Sequence, residues 1–270
     1  MIITLSLCGL ILLLLIVSRI NLSIQFSKQV KELFAQSGDI SGQVFRSQQV
    51  VDLPEPVQRY FKHILKEGQP YIGYASLRHD GQFKTGLDKD WINIKGEQYF
   101  TTAKPGFIWK GVSSMFTARD LYISDKGGLK VSLLSLFTIV NGKGEKFNQG
   151  ELLRWLSENI WFPTNLLPGD RLDWSSIDAQ TARLTFDYND ISLFLIASFN
   201  AIGEITQLET KRYLGEGGLE TWLIKLNNYK EFDGILVPTS AEAIWKLTDG
   251  DHSYAKFNVR KLVYNKPSKL

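Results

Sequence analysis

The sequence contains very little cysteine and histidine. Its only cysteine, Cys8, lies in the first apolar run, so no disulfide can form within the chain and the rest of the protein has no thiol for catalysis or metal binding. None of the three histidines, His63, His79 and His252, has a second histidine or a carboxylate at metal-ligand spacing. We therefore expect no metal centre, and we expect all three histidines at the surface or rim.

Several motifs of catalysis and phosphate binding are also missing. No G-x-S-x-G is present, which excludes a nucleophile elbow. The glycine-rich segments 142–144 and 215–218 match neither a P-loop nor a dinucleotide fingerprint, and they predict hairpin turns. The 31 Lys and Arg nearly balance the 28 Asp and Glu and form no basic stripe. We therefore predict no cofactor and no nucleic-acid partner.

The 270-residue chain begins with an apolar run over residues 2–17. A helix of this length spans about 24 Å, slightly less than a ~30 Å hydrocarbon layer, and apolar residues as far as Ile24 extend it if Arg19 reaches the interface. No basic residue precedes the run, no small-residue cleavage site follows it, and Cys8 lies inside it. These features disfavour a cleaved signal peptide or a lipoprotein signal. The sequence therefore predicts an uncleaved single-pass membrane anchor over residues 1–24.

Charge and composition predict how the anchor connects to the rest of the chain. Arg19, Lys28 and Lys31 follow the apolar run, which by the positive-inside rule favours a cytoplasmic C-terminal domain. Residues 25–42 are predicted to form a helical stalk and a linker rich in glycine and serine. The folded domain is predicted over residues 43–270.

Two helices and many strands are predicted in this domain. Asp52 and Glu55 have the spacing of a capping box and open the first helix. Asn148 and Glu151 open the second, which Pro163 ends. The predicted strands are 71–79, 91–102, 107–110, 120–124, 130–140, 171–177, 182–188, 191–199, 204–213, 221–232, 235–247 and 253–263. Their short connections predict antiparallel pairing, so the expected fold is α+β: a curved antiparallel sheet, or incomplete β-barrel, covered by two helices.

Carboxylates are the only catalytic candidates. Glu151 and Glu158 are seven residues apart on the second helix, so both can lie on one side of it. Paired carboxylates can serve as general acid and base when their pKa values differ. In the alternative interpretation, Glu151 caps the helix and Glu158 is solvated or pairs with Arg154.

Aromatic residues make up 12% of the chain, and seven of them are tryptophan. They can form an ordinary packed core, or they can line an apolar cavity, since partly filled curved sheets commonly hold a small hydrophobic ligand. In the second case the second helix lies across the concave face of the sheet with its apolar side inward. The candidate cavity residues are Trp155, Trp161, Phe162, Trp109, Tyr99 and Trp222.

Three motifs together resemble a bacterial family of membrane-anchored proteins of unknown function: LPEPVQRY at 53–60, QGELLRWL at 149–156 and WFPTNLLP at 161–168. The resemblance extends from about Val50 to Tyr264. Members of this family are similar in outline to the lipoprotein-localisation-factor fold, in which helices cover an apolar hollow. The resemblance implies an extracytoplasmic domain, opposite to the charge bias, and it implies no catalytic residue.

Three functions remain open. The first is a membrane-tethered binding module for a lipid or another apolar molecule. The second is a scaffold or interaction protein whose aromatic residues form a fully packed core. The third is a hydrolase that uses carboxylates near Glu151.

Overall fold

The computed structural model describes residues 2–270, without the side chains of residues 2–8, 10–12 and 14. Helix α1 runs from Ile2 to Ala35. Half of the side chains of the predicted anchor over residues 1–24 therefore lie outside the described part of the structure. Within the part of the chain that is described, no helix is both long and apolar enough to cross a membrane.

Thirteen strands within residues 2–270 form one sheet, and every neighbouring pair is antiparallel. The strands are β1 (Tyr74–Phe83), β2 (Ile92–Thr101), β3 (Gly106–Val112), β4 (Phe116–Ile123), β5 (Lys126–Leu133), β6 (Phe137–Lys143), β7 (Leu172–Asp178), β8 (Thr181–Tyr188), β9 (Ile191–Phe199), β10 (Ile205–Tyr213), β11 (Leu219–Phe232), β12 (Ile235–Leu247) and β13 (Gly250–Tyr264).

The sheet consists of two meanders that meet in its middle. Strands β1 to β6 form one meander and β7 to β13 form the other, and β1 pairs with β13, as in Ala75 opposite Tyr264. Tight turns make this possible: Asp233 and Gly234 both have positive φ, as a two-residue hairpin turn between β11 and β12 requires. Strand β6 is the free edge of the first meander and β7 is the free edge of the second. These two edges do not pair with each other, so the sheet does not close into a barrel.

Helix α3 (Glu145–Glu158) lies across the concave face of this sheet. It contacts both β5 and β10, although seven strands separate these two within the sheet. One helix can reach both strands only if the sheet curves around it. The expected curved antiparallel sheet and the expected position of the second helix are therefore both found.

Two smaller layers complete the fold. Helix α2 (Glu55–Ile64) buries Val57, Tyr60, Phe61 and Ile64, which recur at helical spacing, against the second meander. On the opposite face of the sheet, the C-terminal half of α1 contacts β2 and β3 and buries its apolar residues. The segment predicted as a stalk is thus helical to Ala35 and packed against the domain.

Several predicted boundaries differ from the structure. The N-cap of α2 is Pro54, so Asp52 forms no capping box. Helix α3 begins one turn earlier than predicted, because Gly144 with φ 105° caps it and the side chain of Asn148 instead accepts a hydrogen bond from the backbone N–H of Gly127 at 2.8 Å. The predicted strand 130–140 is two strands, β5 and β6.

Candidate functional site

A cavity of about 500 Å³ lies between the N-terminal part of α3 and the concave face of the sheet. Its walls come from both meanders. Strands β1 to β6 supply one side and β10 to β13 supply the other. Its rim includes Ile139 and Val140 on the edge strand β6, which are 53% and 40% exposed. The cavity therefore opens beside this edge.

The walls are mainly aromatic and aliphatic. The aromatic residues that line the cavity are Phe83, Trp109, Phe116, Phe147, Tyr213, Trp222, Tyr254, Trp245 and Phe257. The indole N–H of Trp222 donates to the hydroxyl of Tyr254 at 3.0 Å, so both polar groups are satisfied within the wall. Gly111 leaves room for Trp109, since a Cβ at this position would lie 2.3 Å from the Trp109 ring. The surface offered to a ligand is thus apolar and shaped by specific contacts.

The polar side of the cavity is a cluster of five charged side chains on α3, β4 and β10, none more than 16% exposed. The Nε of Arg154 donates to Glu158 at 3.0 Å, and its guanidinium also binds the carboxylate of Asp120. Across the cavity, Arg212 donates to Glu151 at 3.3 Å. Asp120, Glu151, Arg154 and Arg212 line the cavity directly.

The cluster contains three carboxyl groups and two guanidinium groups, so it is not balanced when all five are ionised. Burial raises the pKa of Glu151 to about 8, and the nearby carboxylate of Asp120 adds to this. Burial also raises the pKa of Asp120 and of Glu158 above their usual range, although Arg154 opposes it in both cases. Burial and the neighbouring Asp120 carboxylate therefore favour the protonated form of Glu151 near neutral pH.

Two oxygens of this cluster are buried without a partner among the described residues: Oδ1 of Asp120 and Oε2 of Glu151. Glu151 is only 4% exposed. Buried polar atoms without a hydrogen bond are uncommon and costly. Both belong to residues that line the cavity, which makes it the place where a ligand could satisfy them.

His79 lies behind the aromatic wall. It is 5% exposed, its Nε2 accepts a hydrogen bond from the indole N–H of Trp109 at 2.8 Å, and its ring contacts Phe257. Burial lowers the pKa of His79 to about 4. The expectation of a surface position is wrong for this histidine, while His63 is exposed and His252 is partly exposed. Among the described residues, no group of side chains could hold a metal ion.

The structure separates the six aromatic residues that the sequence suggested for a cavity. Trp109 and Trp222 line it. Trp155, Trp161 and Phe162 do not line it and pack instead in the main hydrophobic core. There the indole N–H of Trp155 donates to the carbonyl of Thr101 at 2.9 Å. Tyr99 packs on the opposite face of the sheet, against α1.

Helix α3 places a different side toward the cavity than its hydrophobic pattern suggested. Its apolar residues Leu152, Leu153, Leu156 and Trp155 pack into the core, and the polar side with Glu151 and Arg154 faces the cavity. The predicted pairing of Glu158 with Arg154 is present, but the pair is buried rather than solvated. Glu151 caps nothing, because it lies in the middle of the helix.

Sequence reasoning missed Asp120 and Arg212. They lie on β4 and β10, in different meanders, and only the curvature of the sheet brings both to α3. No local spacing encodes this contact. The only signal within one segment was Glu151, Arg154 and Glu158 at helical spacing on a helix that otherwise reads as apolar.

A model of a protein family of unknown function, DUF6544, matches residues 43–257. This confirms the expected membership of a family without an assigned function and covers most of the predicted domain. A sequence comparison with curated proteins gave no match.

Two solved structures are similar to this chain in outline. One is a domain assigned as an outer membrane lipoprotein-sorting protein from Vibrio parahaemolyticus, with 10% identity, a TM-score of 0.41, and coverage of 81% of this chain and 93% of that chain. The other is a LolA superfamily protein from Nitrosomonas europaea, with 10% identity, a TM-score of 0.36, and coverage of 78% and 92%. Both are named for lipoprotein sorting or the LolA superfamily, the type of protein that the sequence motifs resemble in outline.

Proposed function

The chain belongs to the family of unknown function DUF6544, and we propose that it is a membrane-tethered binding module for a lipid or another amphiphile. The observation that supports this most strongly is the cavity of about 500 Å³ between α3 and the sheet, with its apolar walls and its buried polar side. Ligand sites typically combine a mainly apolar pocket of this size with a few placed polar groups. An amphiphile fits this combination, since its chain lies against the aromatic wall and its head group meets the charged cluster.

The apolar surface beside the cavity supports a position at a membrane. The tips of the β3–β4 and β5–β6 hairpins lie side by side and are called the hairpin tips. They expose the apolar residues Met115, Leu134, Leu136 and Phe137, and Phe137 is 63% exposed. These tips are next to Ile139 on the cavity rim. Exposed apolar patches of this kind mark sites of interaction with proteins or membranes.

Helix α1 continues this apolar surface. The side chain of Ser18 donates to the carbonyl of Ser135 at one of the hairpin tips, so the helix and the tip are in contact. On α1, Leu13, Val17 and Ile20 are each more than half exposed. The sequence of residues 2–17 is apolar apart from Thr4, Ser6 and Gly9. A bilayer that covers this helix would also meet the hairpin tips and the open side of the cavity.

The other two functions account for fewer of the observations. A scaffold with a fully packed core does not explain the cavity or its unpartnered buried oxygens. A hydrolase near Glu151 would use the raised pKa of that residue, but the carboxylates of the cluster are held by Arg154 and Arg212. We therefore assign the cluster to binding.

Quenching of tryptophan fluorescence tests the proposal directly, because Trp109, Trp222 and Trp245 line the cavity. The full chain in phosphatidylcholine nanodiscs is titrated with 12-bromododecanol, whose bromine quenches nearby indoles. Saturable quenching at low ratios of probe to lipid is the expected result. Quenching that rises only in proportion to the probe in the bilayer would overturn the proposal.

A matched pair of variants locates the site. Ala118 lines the cavity, and Thr117 lies beside it on β4 with its side chain on the opposite face. Ala118→Phe fills the cavity and should remove most of the saturable quenching, whereas Thr117→Phe should leave it unchanged. An equal effect of the two substitutions would contradict the assignment of the cavity as the binding site.

A further inference from the structure

The polar side of the cavity has a chemical preference of its own. We infer that the head group bound there is a protonated primary amine at the end of an apolar chain, held by the carboxylates of Asp120 and Glu151. This inference rests on the proposed binding function and adds to it the class of head group.

The first argument is the supply of hydrogen-bond acceptors. Oδ1 of Asp120 and Oε2 of Glu151 are buried, line the cavity through their residues and have no partner among the described residues. An ammonium group has three N–H donors and no acceptor. It offers donors to both oxygens, whereas an ionised carboxylate head group has no donor to offer them.

The second argument is the balance of charge. The two guanidinium groups already bind carboxylates: Arg154 binds Asp120 and Glu158, and Arg212 binds Glu151. With the proton on Glu151, the empty cluster has two negative and two positive charges. A further cation, Lys146, lines the cavity, but it is only partly buried and its ammonium group donates to the carbonyls of Glu216 and Gly217. An anionic head group placed beside Glu151 and Asp120 would therefore add a buried negative charge next to existing carboxylates, which is costly in an apolar surrounding.

A cationic head group can be accommodated without such a charge. When the ammonium group binds, the proton leaves the carboxyl of Glu151 for the solvent, and the added positive charge is matched by the new carboxylate. The raised pKa of Glu151, about 8, makes this exchange possible near neutral pH. The charged or titratable groups around Glu151 are Asp120 on β4, Arg154 and Glu158 on α3, Arg212 on β10 and Tyr254 on β13.

The Nε of Arg212 also has no partner within the described part of the chain and would suit an acceptor, so an anionic head group belongs in the test. Dodecylamine, dodecanol and dodecanoate share one chain and are compared as competitors of 12-bromododecanol in nanodiscs containing the full chain. We expect dodecylamine to bind roughly tenfold more tightly than dodecanol, or about 1.4 kcal/mol, and dodecanoate to bind most weakly.

Proton release distinguishes this mechanism from simple charge attraction. Calorimetry in buffers of different ionisation enthalpy should show about one proton released per dodecylamine at pH 7, and almost none at pH 9.5, where Glu151 is already ionised. Glu151→Gln should abolish both the proton release and the preference for dodecylamine over dodecanol. Glu145→Gln, at an exposed position of the same helix, is the control.

The outcomes separate this inference from the proposed function. The inference would be overturned if dodecanoate bound as tightly as dodecylamine, or if the amine bound without proton release at pH 7. Either result would leave the proposed binding function intact. If none of the three chains competes with the probe, the proposed function itself fails. The pH dependence of proton release uses only the wild-type chain, so it remains informative even if Glu151→Gln does not fold.

Discussion

Trp109 and His79 lie on neighbouring parts of the concave face and are joined by a hydrogen bond of 2.8 Å, which the indole N–H donates to Nε2 of the imidazole. The imidazole accepts this bond only when Nε2 carries no proton, so the neutral ring with its proton on Nδ1 is the form that the fold uses. The two rings are nearly parallel, with an interplanar angle of 4°. The aromatic wall of the cavity therefore depends on an uncharged histidine.

The first prediction concerns stability in acid. The pKa of His79 is lowered to about 4 in the folded protein, against about 6.5 in an unfolded chain. Between these values the unfolded chain binds a proton that the folded one does not, so stability falls as the pH drops from 6.5 to 4. The contribution of this group is about 3 kcal/mol.

His79→Gln retains an acceptor for Trp109 but cannot be protonated. Urea unfolding of the wild type and the variant at pH 7 and pH 4.5 should show a clearly smaller loss of stability in the variant. Equal losses in both proteins would show that His79 is not the group responsible.

The second prediction concerns the loss of stability as the pH rises. The folded pKa of Glu151 is raised above its unfolded value, so its contribution to stability is fully present below about pH 4.5 and is lost as the pH rises through about 8. Glu151→Gln should remove this part of the pH dependence in denaturant unfolding of the ligand-free protein. Glu145→Gln should leave it unchanged; a pH profile of Glu151→Gln that matches the wild type would count against a protonated Glu151.

The third prediction separates the packed end of the domain from the cavity. Trp155 is 1% exposed and its indole N–H is bonded, so Trp155→Ala should reduce the free energy of unfolding by about 3–5 kcal/mol. Trp91, which is only partly buried, is the control and should cost clearly less on the same substitution. A small effect of Trp155→Ala in chemical denaturation would mean that this region is less tightly packed than the structure has it.

The fourth prediction tests the apolar hairpin tips. Phe137 and Ile202 are 63% and 62% exposed, but only Phe137 is next to the cavity rim and α1. If the tips insert into lipid during ligand entry, Phe137→Glu should slow transfer of 12-bromododecanol from vesicles to the cavity by roughly tenfold, with little change in affinity. Stopped-flow quenching measures this rate, and Ile202→Glu should leave it unchanged. Equal rates for the two variants would remove the hairpin tips from the entry route.

The sequence predicts the fold well because most of its signals are local. Alternating apolar residues and short turns such as Asp233–Gly234 specify antiparallel neighbours without distant information. The missed division between β5 and β6 has a physical reason: the turn uses Leu134 and Ser135 at positive φ, and neither residue type usually indicates such a turn. The start of α3 was missed for a different reason: Gly144 caps the helix with a positive φ, whereas the side chain of Asn148, four residues later, was expected to do so.

The site was harder to predict because it forms between distant segments. The apolar stripe of α3 correctly indicated that the helix is buried. One side of α3 packs into the core and another side borders the cavity, and the hydrophobic pattern does not show which side is which. Trp155 was placed there for its size, although the space lies on the side of Glu151 and Arg154. A buried charge is compatible with the fold only through partners on other strands, here Asp120 and Arg212, and the sequence does not show which strands these are.

The central position of β13 determines how the molecule can assemble. This strand follows all the other strands in the chain, yet it pairs with β1 and β12 in the middle of the sheet. During synthesis the first meander therefore has β1 as an open edge until the last strand emerges, and the closing contacts join residues far apart in sequence, such as Ala75 and Tyr264. Contacts of this kind make folding slow and leave unpaired edges exposed. A chain that ends before residue 250 lacks the strand that joins β1 to β12, so the two walls of the cavity would not be held together.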